Sequence, residues 1–117
     1  MGHTYVDVNL TSPTTGEGIS ITALVDTGAT TTTVPRALAD KLNLPEITRR
    51  TVVTASGQEI MPVSYAIIDI SGEKTVTDVL ISEKLNRVLI GVTTLESLAF
   101  KVNPKTGNLE KSEVLLL

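Results

Sequence analysis

The sequence predicts an all-β domain, a closed barrel or sandwich of roughly eight to ten short strands with two short helices. Three observations predict it. Short β-branched and apolar segments recur along the chain, separated by clusters of Gly, Pro, Asn and Ser. Such punctuation marks strands joined by turns. Only two stretches, near Pro35 and Leu95, carry helical spacing. Aromatic residues make up 3% of the chain, so Val, Ile and Leu must supply the core.

In chain order, Thr4 to Leu10 alternates polar Tyr5, Asp7 and Asn9 with apolar Val6, Val8 and Leu10, the pattern of a half-buried strand. The turn cluster Thr11–Gly16 leads to a second strand, Ile19 to Val25. The run Ala23–Leu24–Val25 reads as buried and passes directly into Asp26–Thr27–Gly28. Aspartate is seldom buried without a partner. Taken alone, the tripeptide is equally a polar turn and a functional carboxylate. The β-branched polar run Thr30–Thr33 follows. A short helix is then expected from Pro35 to Leu42, with proline at the first helical position and Leu38 and Leu42 on one face. Asn43 and Pro45 stop it.

Thr51–Thr54 and Ile60–Val63 flank Ala55–Ser56–Gly57–Gln58 and predict a hairpin with a flexible tip. Tyr65–Ile70 and Thr75–Ile81 predict another around Ser71–Gly72–Glu73. Val88–Leu89–Ile90 is an apolar strand ending at Gly91. Thr93–Thr94 before Leu95–Leu98 approximates a capping box at a helical turn. Phe100–Val102 and Leu109–Leu117 complete the strands. The apolar end Val114–Leu117 is expected to dock in a sheet, within the subunit or across an interface. No linker or charge block divides the 117 residues, so residues 1–117 are expected to form one domain.

Composition removes several function classes. Net charge is −3 and the basic residues are scattered, with Arg49–Arg50 the one basic pair, so no nucleic-acid partner is expected. There are no cysteines, which excludes disulfides, thiolate metal sites and thiol nucleophiles. His3 is the sole histidine and lies at the N-terminus, a poor place for a catalytic triad or a zinc site. No metal or other cofactor is expected. No apolar run approaches a membrane span, no signal peptide opens the chain, and Val6 breaks a myristoylation pattern at Gly2. The expectation is therefore a cytoplasmic protein without membrane contact. Any chemistry must come from carboxylates and hydroxyls.

The order of hairpin, Leu24–Val25–Asp26–Thr27–Gly28–Ala29, Gly-tipped hairpin, Val88–Leu89–Ile90–Gly91 and short helix resembles the retropepsin group of aspartic proteases over about positions 4 to 117. Two departures from the viral pattern stand out. Thr30 replaces a second acidic residue after the alanine, and Val92 replaces the arginine that would pair with it. Both partners of a buried pair are thus lost together, which avoids an unpaired charge. The change bears on substrate subsites more than on chemistry.

The resemblance implies an aspartic endopeptidase of retropepsin-type fold. Two nearby carboxylates cannot both ionise; sharing one proton, they activate a water and protonate the scissile carbonyl. The chain has one Asp-Thr-Gly, so the resemblance implies a homodimer in which Asp26 of each subunit meets on the two-fold axis. Asp26, Thr27 and Gly28 are then the catalytic set, with Thr27 bracing the two loops across the axis and Gly28 hydrogen-bonding the carboxylate. Gly91 would pack tightly beneath that loop. Ala29, Thr30, Ala55, Ser56, Gly57 and Ile90 are implied substrate contacts, the hairpin around Ser56–Gly57 being the flap over an extended peptide or unfolded protein. Apolar walls are expected from Val34, Ile60, Val63 and Ile90, and Tyr65 is expected in the core. Two alternatives remain from the sequence. One is a non-catalytic dimerisation or peptide-binding module with the same fold. The other is a monomeric β-domain in which Asp26 is a turn residue.

Overall fold

A computed structural model describes residues 3–113. The expected docking of Val114–Leu117 lies outside the described residues. Strands β1 (Thr4–Thr11) and β2 (Gly18–Val25) form the anticipated hairpin, with Thr4 opposite Val25 and Thr11 opposite Gly18. Along β1, Val8 and Leu10 are buried while Tyr5, Asp7 and Asn9 are exposed, as the alternation requires. Ser12 is fully buried and holds the connecting turn, its amide donating to the Glu17 carbonyl at 2.8 Å.

Strand β3 (Thr32–Pro35) takes up the second half of the polar threonine run and continues through Val34 and Pro35, where no strand was expected. Its reason is non-local: Thr32–Pro35 pairs in parallel with Val79–Ser82, and Thr33 faces Leu89 antiparallel. Helix α1 (Arg36–Lys41) is shorter than the expected span. Pro35 is its N-cap in extended geometry (ψ 147°) rather than its first helical residue, because it is also the last rung of the β3 pairing, opposite Ser82.

Strands β4 (Thr48–Thr54) and β5 (Gly57–Ile70) turn through Ala55–Ser56. β5 is one continuous strand of 14 residues where the sequence suggested two. Ser64 does not interrupt it; that residue pairs with Val79. Strand β6 (Glu73–Ser82) follows a tight turn in which Ser71 (φ 54°) and Gly72 (φ 85°) are both left-handed. This geometry suits a two-residue hairpin. Then come β7 (Leu89–Ile90), helix α2 (Val92–Ser97), β8 (Phe100–Val102) and β9 (Leu109–Lys111). α2 begins at Gly91 with no side-chain cap, so the expected capping box is not formed.

The large sheet runs β1-β2-β7-β3-β6-β5-β4, and β5 also pairs with β1 through Asn9–Asp69, Leu10–Ile68 and Thr11–Ile67. Six strands therefore close into a ring, and β4 projects from it on the N-terminal half of β5. Of the two architectures anticipated, this is the barrel. Closure leaves no free edge within the ring. Leu10, Val34, Ile68, Val79, Ile81, Val88 and Ile90 fill the interior. β8 and β9 pair separately at one end, Phe100 and Leu98 joining the same core. The helices are short and the fold is β throughout, in keeping with the retropepsin resemblance. No helix among the described residues is long and apolar enough to cross a membrane.

Candidate active site

β2 and β7 run side by side in parallel, Leu24 opposite Leu89 and Val25 opposite Ile90. The ladder continues past β2, with the Asp26 amide donating to the Ile90 carbonyl at 2.9 Å. Asp26 is therefore held by the core strand β7 at the point where the chain leaves the barrel. The Ala29 amide closes the turn on the Asp26 carbonyl at 3.1 Å. The Gly28 amide donates to Asp26 Oδ1 at 2.9 Å. A Cβ at position 28 would lie 3.2 Å from that oxygen, so glycine gives the amide its approach. Asp26 is half-buried, and Thr27 is exposed with no side-chain hydrogen bond among the described residues.

The start of α2 grips the other side of this loop. Val92 and Thr93 amides donate to the Ala29 and Thr30 carbonyls at 2.9 and 3.0 Å. Between them, the Gly91 amide donates to Thr32 Oγ1 at 3.0 Å, and that hydroxyl lies 2.6 Å from Thr94 Oγ1. Both threonines are fully buried. A Cβ on Gly91 would fall 2.6 Å from the Thr31 carbonyl carbon and 2.8 Å from the Thr30 oxygen. Its φ of −87° is ordinary, so close packing of two backbones, not conformation, demands glycine there. The tight packing expected of Gly91 is thus observed. The Thr32–Thr94 pair was not anticipated; its only trace in the sequence is the density of threonines at 30–33 and 93–94.

A groove of about 920 Å³ opens in front of Asp26. Gly28, Ala29 and Thr30 form its floor, with Thr33 behind them. The β4–β5 hairpin overhangs it, Ala55 and Ser56 at the tip. Val52, Met61, Val63 and Leu80 form an apolar wall; the last three pack as a cluster separate from the barrel core. A second cavity, of 820 Å³, lies against β1, β2 and the β5–β6 turn, away from Asp26.

Most of the anticipated site residues meet in this groove, with some exchanges. Ala29, Thr30, Ala55, Ser56 and Val63 line it together with Asp26 and Gly28. Gly57 begins β5 at the hairpin tip with φ 121°, and supports the turn without lining the groove. Ile90 and Val34 are fully buried in the barrel, and Leu89 faces the groove instead. A strand presents alternate residues to opposite faces, so a shift of one position exchanges core for wall. Ile60 is 66% exposed on the other face of the hairpin, and Met61 takes the groove position. Tyr65 is half-buried rather than in the core, and lies outside the groove lining.

The loop from Glu83 to Val88 forms the remaining rim, through Lys84 and Leu85. The Ser82 hydroxyl accepts from both of their amides at 3.1 Å. Glu83 is drawn outward to Arg36, whose Nε donates at 2.8 Å. That hydrogen bond raises the Arg36 pKa above its ordinary value, with Coulombic help from Glu83 itself and Asp40. Among the described residues, no three His, Asp or Glu side chains gather where they could hold a metal ion.

Residues 13–97 match a family model described as gag-polyprotein putative aspartyl protease. The match takes in the Asp26 loop, the hairpin, β7 and α2. No curated protein matches the chain.

Proposed function

The chain belongs to the gag-polyprotein aspartyl protease family, and on that premise we propose that it acts as a homodimeric aspartic endopeptidase on extended peptides or unfolded protein. One observation carries the proposal: Asp26 is held at a peptide-sized groove by the Gly28 amide, and among the described residues its own loop brings no second carboxylate beside it. A paired-carboxylate hydrolase needs the second acid. A two-fold axis past the exposed Thr27 side chain would bring the partner's copy of the loop to the same place.

In that dimer, the two Asp26 carboxylates share one proton and hold a water between them. The ionised carboxylate takes the water's proton as it attacks the scissile carbonyl carbon, and the protonated one donates to the carbonyl oxygen. The two-fold symmetry makes the carboxylates equivalent, so neither role belongs to one subunit. The Gly28 amides donate to the carboxylates and hold them in place, and the Thr27 hydroxyls bridge the loops. The Ala55–Ser56 hairpin closes over the peptide and excludes water.

The test compares the protein with Asp26→Asn on an unfolded substrate across about pH 3 to 7, the range in which a carboxylate pair passes through its singly protonated state, with sedimentation of both. The expected result is cleavage by the unmodified dimer within this range and none by the variant. Equal cleavage by both, or none by either with dimers intact, would overturn the proposal.

A further inference from the structure

Besides Asp26, four charged side chains among the described residues line the groove, and each is matched to one of opposite sign on another element. Arg50 on β4 faces Asp78 on β6 at 3.8 Å, both about 60% exposed. Lys84, on the rim after β6, meets Glu59 on β5 at 3.0 Å. The second pair is the better built. Its distance is shorter and its acid is shielded: Glu59 is 27% exposed, beside Val52 across the hairpin and the buried Met61 on its own strand, while Lys84 is 72% exposed. Lys84 stands on a backbone held by the buried Ser82 hydroxyl, while Glu83 is engaged with Arg36 on the other side. The pair therefore joins the overhanging hairpin to the rim loop.

We propose that Glu59 and Lys84 determine specificity: they make the groove select peptides with uncharged side chains where the chain passes between the hairpin and the 83–88 loop. The inference rests on the proteolytic reading and narrows its substrate class. A third charge brought beside a matched pair gains attraction from one member and repulsion from the other, yet still loses its hydration. A neutral side chain leaves the pair intact and packs on Met61, Val63 and Leu80. Arg50–Asp78 is looser and contributes less, as exposed pairs do.

Each half of the pair, left alone, should attract its opposite. Fluorogenic peptides with a Leu-Leu centre in an Ala/Ser background, carrying one Glu or one Lys at successive positions, provide the probe. Their kcat/KM values are measured with the unmodified protein, Glu59→Gln, Lys84→Met and the exchanged pair Glu59→Lys with Lys84→Glu. Their affinities are measured by anisotropy in the Asp26→Asn background, which reads binding without cleavage. Glu59→Gln should favour the Glu peptide at one position by about two- to fivefold over the neutral one, the scale of a partly exposed pair. Lys84→Met should favour the Lys peptide at that same position. The exchanged pair should restore the neutral preference, and high salt should erase all the shifts. Unchanged charge preference in both single variants, or shifts of the same sign, would overturn the inference while leaving proteolysis standing. Failure of every peptide to bind or be cleaved would overturn both.

Discussion

The hydroxyls of Thr32 and Thr94 lie 2.6 Å apart, fully buried, and the Thr32 oxygen also accepts the Gly91 amide. This contact joins β3 to α2 directly behind the Asp26 loop. It satisfies two buried hydroxyls and one buried amide, each of which is costly to leave without a partner.

Thr94→Val keeps the shape and removes one hydroxyl. The expected loss is about 1–2 kcal/mol of stability, the cost of a broken buried hydrogen bond. Thr94→Ser should recover most of it. Urea unfolding midpoints check both, and a valine variant as stable as the parent would contradict the role assigned to the pair.

Gly91→Ala forces a Cβ to 2.6 Å from the Thr31 carbonyl carbon, where only backbone could move. A loss of roughly 1–3 kcal/mol is expected, as for overpacked interiors. The displaced backbone is that of Thr30 and Thr31, next to Ala29, so cleavage should fall even where the protein remains folded. Thermal unfolding and kcat/KM at a temperature well below the transition separate the two effects.

Gly28→Ala differs in kind. Its Cβ would meet only Asp26 Oδ1, at 3.2 Å, in an exposed loop. Stability should change by less than about 0.5 kcal/mol, as at surface sites. Activity should drop by about ten- to a hundredfold, because a small misplacement of a reacting group is expensive. A variant with unaltered kcat/KM would show that the Gly28 approach does not position the carboxylate.

Ser64 is 1% exposed, and its hydroxyl has no partner among the described residues. Ser64→Ala removes a desolvated polar group and should leave stability unchanged or raise it by up to about 1 kcal/mol. Differential scanning calorimetry decides this; a clear fall in the melting temperature would mean the hydroxyl is satisfied in solution.

Much of the local architecture was legible in the sequence. The β1–β2 alternation, the turn at Ser71–Gly72, and the apolar strand delivering Asp26 to a loop all depend on neighbours a few residues away. The Leu24–Ala29 and Val88–Gly91 segments were recognisable apart, and the structure places them side by side through the Asp26 amide and Ile90 carbonyl. Helix α1 was found within a residue at each end, because Pro35 and Asn43 act locally.

Tertiary structure alone decided the rest. The second half of the threonine run, with Val34 and Pro35, became β3 only because β6 and β7 offered ladder partners on both sides. The sequence placed Ile90 in the groove; the register of β7 between β2 and β3 buries it and turns Leu89 to the groove instead. The closure of β1 on β5, the Thr32–Thr94 contact across 62 positions and the Glu59–Lys84 pair across 25 join residues far apart in the chain. Periodicity, turn chemistry and motif spacing report interactions within a turn or a hairpin. A contact between distant segments follows from how the barrel closes, and that is settled by the packing of all six strands at once.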